Sequence, residues 1–117
     1  MNKGELKLRT KQFALRTIKL VRFLPKDVPG KVIANQLMRS ATSVGANYRS
    51  ACRGRSKPEW RAKLGISLEE CDESAYWLEL IMEDGMLPLS RVEPLWKEAD
   101  ELCAIFYTAL ESARQPS

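Results

Sequence analysis

Hydrophobic residues recur every three to four positions in four segments of this chain, which is the spacing of helices that bury one face. The first segment covers residues 5–24 and ends at Pro25, which lacks the amide hydrogen that a helix interior requires. The second covers residues 29–52, and its middle consists of small and β-branched residues with weak helix propensity. We interpret this middle as helical, because small side chains let a neighbouring backbone approach closely and packing overrides weak propensity.

The third and fourth segments each begin at a pattern typical of a helix N-terminus. Ser56 and Glu59 fit a capping box before a helix that continues to residue 84, and Ser90 and Glu93 fit another before a helix that continues to residue 113. Short connections between long helices favour antiparallel neighbours. The sequence therefore predicts an all-α fold, a single domain over residues 1–117 that forms an up-down-up-down antiparallel four-helix bundle.

The third helix has a second apolar stripe, on a different face from the one expected to fill the bundle core. This stripe contains Ile66, Trp77 and Leu80. A helix with two apolar faces needs two packing partners, and the bundle supplies only one of them. We therefore predict that these three residues form the interface of a homo-oligomer.

Composition narrows the possible chemistry. The 117 residues include no histidine, which excludes histidine-dependent acid/base catalysis and any metal site that requires imidazole. A carboxylate cluster, residues 69–73, is the only candidate for such chemistry, and we interpret it as a solvated or ion-paired surface. Three widely spaced cysteines are typical of core packing in a reducing cytoplasm, and no signal peptide or membrane span fits the sequence. We expect no enzymatic activity, no metal and no cofactor.

Charge is distributed very unevenly along the chain. The net charge is +4, but residues 1–63 carry +13 and residues 64–117 carry −9. Two interpretations remain open: the halves neutralise each other within the fold, or a basic surface is left for a polyanion. The second predicts a phosphate-binding surface made of Lys7, Lys11, Lys19, Arg22, Arg53, Arg55, Lys57 and Arg61. Tyr48, Tyr76 and Tyr107 could stack on bases, although aromatic residues at helical spacing more often belong to a core or an interface. Tyr48, beside the basic turn, is the best placed of the three for stacking.

Two motifs of the chain resemble a known family. Residues 36–47 combine an arginine, a run of small residues and Ala-Asn, and residues 61–71 continue a small-residue, Leu-x-Glu pattern that is followed by Tyr76-Trp77-Leu78. Together they resemble the bacterial intervening-sequence proteins, which are encoded in insertions within large-subunit ribosomal RNA genes. A related branch serves as accessory proteins of diversity-generating retroelements. Where many members read Ile-Pro-Ala-Asn-Ile-Ala-Glu-Gly, this chain has Gly45 in place of the proline and Ser50 in place of the acid, which makes the turn more basic.

The resemblance implies a four-helix bundle that forms a ring, often a pentamer, and in the retroelement branch binds nucleic acid and a reverse transcriptase. We therefore expect a cytoplasmic, non-enzymatic, oligomeric protein that binds nucleic acid, with RNA favoured. The alternative is a homo-oligomeric scaffold that holds a protein partner and does not bind nucleic acid. The polar residues of the two motifs predict one internal contact, in which Arg39 or Asn47 reaches Glu70 or Glu73 and forms a buried pair.

Overall fold

A computed structural model describes residues 1–114, which form four α-helices and no strand. The helices are α1 (Lys3–Val21), α2 (Val28–Cys52), α3 (Lys57–Asp84) and α4 (Leu89–Arg114). Each helix packs against the next in the chain, and α1 also contacts α4, so the four close into an elongated bundle of 50 × 20 × 20 Å. This confirms the predicted all-α four-helix fold. None of the helices described is both long and apolar enough to cross a membrane.

The first helix is shifted from its predicted bounds. It begins at Lys3 because the Asn2 side chain accepts a hydrogen bond of 2.8 Å from the Glu5 amide, and it ends at Val21, before the predicted Leu24. Its buried face also includes a polar residue that the hydrophobic pattern does not reveal. Thr10 is fully buried, and its hydroxyl donates to the Leu6 carbonyl of the same helix at 2.9 Å.

The weakly helical middle of α2 is helical, as predicted, because it packs closely against both neighbouring helices. A Cβ atom at Gly45 would lie only 3.1 Å from the Thr10 hydroxyl oxygen, so α1 approaches the backbone of α2 closely at this point. Towards α3, the Ser67 hydroxyl donates to the Val44 carbonyl at 3.0 Å, and the Ser74 hydroxyl donates to that of Ser40 at 2.8 Å. These buried hydrogen bonds and close contacts offset the low helix propensity of the segment.

The two predicted capping boxes have different outcomes. Ser56 caps α3 by accepting from the Glu59 amide, but the Glu59 carboxylate accepts from the amide of Arg55 instead of that of Ser56. The box predicted for α4 is wrong, because α4 begins at Leu89 and therefore includes Ser90. The left-handed Gly85, with φ of 76°, turns the chain sharply after α3, and the Pro88 carbonyl accepts the first hydrogen bond of α4 from the amide of Arg91.

Two glycines in helices are expected to respond oppositely to replacement by alanine. At Gly30 a Cβ atom would lie 2.0 Å from the Pro25 carbonyl oxygen, whereas at Gly65 it would meet nothing within 4 Å. We expect Gly30→Ala to lower the free energy of unfolding by roughly 1–3 kcal/mol through steric strain. We expect Gly65→Ala to raise it by about 0.5–1 kcal/mol through higher helix propensity. Urea unfolding followed by circular dichroism measures both, and equal stabilities of the two variants would contradict this account.

Candidate nucleic-acid interface

Two open grooves lie side by side on the bundle, separated by the C-terminal half of α2. The α1–α2 groove has a volume of about 500 Å³, and its cationic lining residues are Lys7, Lys11, Arg49 and Arg53. The α2–α3 groove has a volume of about 680 Å³, and its cationic lining residues are Arg49, Arg53, Arg55 and Lys63. Because Arg49 and Arg53 line both grooves, the six cations form one continuous surface, which we name the double groove.

Helix geometry explains why these cations share a surface. Lys7 and Lys11 are four residues apart on α1, and Arg49, in the last turn of α2, is four residues before Arg53, the C-terminal cap of that helix, so each pair lies about one helical turn apart on one side. Small residues form the lining between them, Gly45 and Ala46 in particular. The grooves exist because these small side chains leave space that larger ones would fill.

The acidic half of the chain does not neutralise the double groove. Within residues 1–114 the ion pairs between the two halves involve Arg9, with Glu98 at 2.7 Å and Glu101 at 2.9 Å, and Arg39, with Glu70 and Glu73. Hydrogen bonding to Glu98 raises the pKa of Arg9 further. None of the six double-groove cations forms an ion pair with any residue the structure describes. The groove linings contain one acid, Glu59, whose carboxylate is bonded to the Arg55 amide.

The structure does not bring all eight sequence-predicted phosphate contacts together. Lys7, Lys11, Arg53 and Arg55 line the double groove, and Lys57 is exposed at the start of α3 outside both linings.

The other three predicted contacts lie elsewhere. Lys19 is about 18 Å from Lys7 along α1, given a rise of 1.5 Å per residue, and lines a separate pocket near the opposite end; Arg22 is exposed one turn further on. Arg61 is half-buried and lies beside Leu110, on the side of α3 that faces α4.

Two cations of the double groove are absent from that predicted set. Arg49 and Lys63 belong to the same basic run as four of the predicted residues, but the run by itself does not show which of its cations face one surface. The signal that identifies Arg49 is its spacing of four residues from Arg53, which places both on one helical face. Lys63 becomes part of the site only because α3 packs against α2 and turns this residue towards the groove.

Of the two interpretations open for Tyr48, base stacking and core packing, the structure shows core packing. Its ring is 3% exposed and makes an edge-to-face contact with Phe106, with 5.7 Å between the ring centroids. Burial raises the pKa of its hydroxyl well above the ordinary value. Tyr48 therefore contributes indirectly, by anchoring the segment of α2 that presents Arg49.

The contact predicted for Arg39 is confirmed, although its setting is different from the one expected. The guanidinium donates to Glu70 at 2.9 Å and to Glu73, and the Trp77 indole donates to Glu73 at 3.2 Å. The Arg39 side chain is 50% exposed, so the pair is not buried. Asn47 takes no part, because its amide donates to the Ser43 carbonyl within α2.

Within residues 1–114, the remaining groups of interest are the carboxylate cluster of α3 and the cysteines. No group of three or more His, Cys, Asp or Glu residues there is positioned to hold a metal ion, and Glu69 and Asp72 are exposed. Cys71 is fully buried, and its hydrogen bond with the Cys103 thiol, together with burial, raises its pKa. A buried thiol with a raised pKa is a poor nucleophile.

The predicted oligomer-interface residues lie along α3, and none of the three lines the double groove. Ile66 is 36% exposed, while Trp77 and Leu80 are half-buried at the edge of the core. Tyr76, next to them, is exposed and stacks edge-to-face on Trp77 at 5.2 Å. Their role between subunits stays a prediction.

Comparisons with known proteins show similarity both to a family and to a solved structure. Residues 4–108 match the family model of the 23S rRNA-intervening sequence proteins. The chain is also similar to a crystal structure of a protein of unknown function from the S23 ribosomal protein family of Bacteroides thetaiotaomicron, with 30% identity and a TM-score of 0.86. That alignment covers 95% of this chain and 99% of the other. No curated protein matches the chain at a significant level.

Proposed function

The chain belongs to the 23S rRNA-intervening sequence protein family, and from this membership and the double groove we propose that it is a non-enzymatic, oligomeric RNA-binding protein. The observation that carries the proposal is the double groove itself, in which six cations surround one acid and have no ion-pair partner among residues 1–114. Like charges held this close repel one another, and a phosphate backbone relieves the repulsion.

The chemistry of the lining favours binding to backbone phosphates over reading of bases. Arginine and lysine are the side chains that proteins most often use against phosphate oxygens, and such contacts carry no sequence information. Gly45 and Ala46 line the α1–α2 groove, and their side chains are small enough for an RNA backbone to approach closely. Among polyanions we favour RNA, because the family is named after a ribosomal RNA intervening sequence.

Titration of a fluorescently labelled RNA with the purified protein tests this function. We expect binding at low salt that weakens steeply as salt is added, because neutralised phosphates release counterions. The log-log slope should be about −0.7 for each phosphate contacted on a single strand and about −0.9 on a duplex. Failure of both RNA forms to bind at tens of micromolar protein would sink the RNA-binding function and leave the protein scaffold as the better candidate.

Assembly is the second part of the proposal, supported by the partly exposed stripe that contains Ile66, Trp77 and Leu80. A large apolar side chain that becomes buried between subunits contributes roughly 1.5–3 kcal/mol. We expect multi-angle light scattering to give a mass near five times the chain mass of 13.3 kDa. We expect Ile66→Glu to lower that mass. Asp72→Asn, an exposed position about 120° round the same helix from Ile66, should leave it unchanged. A wild-type protein that stays monomeric at micromolar concentration would contradict the assembly.

A further inference from the structure

We propose that the double groove binds double-stranded RNA. In this complex α2 lies in the minor groove of the RNA, and each groove of the protein holds one of the two phosphate backbones. This inference rests on the proposed function and narrows its substrate to a base-paired helix. It follows from three observations: the arrangement of the cations, the small side chains of α2 beside the grooves, and the hydroxyl groups in the groove linings.

The cations stand in three rows. The first outer row is Lys7 and Lys11 on α1, and the middle row is Arg49 on α2 with Arg53 at its C-terminal cap. The second outer row is formed by Arg55, between α2 and α3, and Lys63 on α3. Among the residues described, α1 and α3 both pack against α2, and no Cα atom of α1 lies within 8 Å of one in α3, so the two outer rows lie on opposite sides of α2. A backbone that lies along one groove neutralises one outer row and the middle row, and leaves the other outer row without a partner. Two backbones, one along each groove, neutralise all three rows of cations.

Apart from the two arginines, small side chains face the RNA between the grooves. Ala46 lines both grooves, Thr42 and Gly45 line the α1–α2 groove, and none of the three carries a side chain large enough to hold a double helix away. The minor groove of A-form RNA is wide and shallow, and it displays 2′-hydroxyl groups. The surface of α2, with a cationic groove on each side, is complementary to this shape. The major groove of RNA is too deep and narrow to admit α2.

Hydroxyl groups of the protein face the same surface. Thr42 lines the α1–α2 groove, and Ser50 lines the α2–α3 groove. The Thr42 hydroxyl donates its own proton to the Met38 carbonyl at 2.6 Å, which leaves its oxygen free to accept a hydrogen bond. A 2′-hydroxyl can donate that bond, whereas DNA has no such group. This surface should therefore favour RNA over DNA, with little preference for base sequence.

Matched charge-removal variants separate one-backbone from two-backbone binding. The first variant is Lys7→Gln with Lys11→Gln, the second is Arg55→Gln with Lys63→Gln, and the control is Lys26→Gln with Lys31→Gln. The control removes the same charge from exposed sites near the opposite end of the bundle, since Lys31 is about 27 Å from Arg49 along α2. The probes are an RNA hairpin with about 16 base pairs, the span of a known duplex-binding domain, and an unpaired RNA of the same length. Circular dichroism verifies that each variant is folded.

We expect wild-type protein to bind the hairpin at least tenfold more tightly than the unpaired strand. Either groove variant should weaken hairpin binding about 100-fold and make its log-log salt slope shallower by about 1.8, the values for two lost phosphate contacts on a duplex. The control variant should match wild type. Equal affinity for the two probes, or a hairpin slope that one groove variant leaves unchanged, overturns the duplex inference while the RNA-binding function stands. Binding to neither probe removes the function and this inference together.

Discussion

Replacing Arg49 and Arg53 with glutamate is expected to abolish RNA binding. These two residues line both grooves, so the change removes the shared row of cations and puts two anions in its place. A hydrogen bond to a charged group contributes roughly 1.5 kcal/mol or more, and each 1.4 kcal/mol is a tenfold change in affinity, so two lost contacts weaken binding by about 100-fold or more. Repulsion from the introduced carboxylates adds to this loss.

Fluorescence anisotropy with the RNA hairpin measures the effect, and the double variant Lys26→Glu and Lys31→Glu is its control. The control changes the net charge equally but lies outside the double groove. Both variants should keep the helix content of the wild type, because all four side chains are exposed. An equal loss of binding in the two double variants would mean that overall charge, and not the double groove, controls the interaction.

Replacing Phe106 with alanine is expected to cause the largest loss of stability among single core changes. Phe106 is fully buried on α4 and packs edge-to-face against Tyr48 of α2, so its ring joins two helices across the core. Truncation of a buried phenylalanine to alanine typically costs about 3–5 kcal/mol, because it removes buried apolar surface and leaves a cavity. The expected result is a large fall in the urea midpoint.

The adjacent variant Tyr107→Ala is the control for this change. Tyr107 is 59% exposed, so its truncation should change the free energy of unfolding by less than about 0.5 kcal/mol. Chemical unfolding of both variants, followed by circular dichroism, gives the comparison. A Phe106→Ala protein that unfolds at the wild-type urea concentration would show that the ring is not part of a tightly packed core.

Local patterns were most informative where one helix decides the outcome. Proline and capping signals placed the four helices within a few residues, and Ser56 caps α3 as its sequence predicts. They failed at α4, where a left-handed Gly85 and the carbonyl of Pro88 start the helix before Ser90. This failure arises because the start of a helix depends on how the preceding turn directs the chain, and several capping patterns compete within a few residues.

The candidate site was only partly predictable from the sequence. The basic run and the i, i+4 spacing indicate which cations share a helical face. Four of the predicted cations do line the double groove: Lys7, Lys11, Arg53 and Arg55. The same analysis grouped Lys19 and Arg61 with them, although Lys19 lines a pocket near the other end of α1 and Arg61 lies on the side of α3 that faces α4. Charge patterns do not encode distance along a bundle or rotation about a helix axis.

The sequence alone determined that this protein is a bundle of four helices and that its first half is strongly basic, because helix periodicity and charge are properties of neighbouring residues. Only the tertiary structure decided which cations remain without partners. Arg9 and Arg39 meet acids of α4 and α3, whereas Arg49 and Arg53 lie between two grooves with no acid to pair with them among residues 1–114. It also decided that Tyr48 belongs to the core. These outcomes depend on which helix faces meet, and that choice is made by packing of small residues such as Gly45 against Thr10.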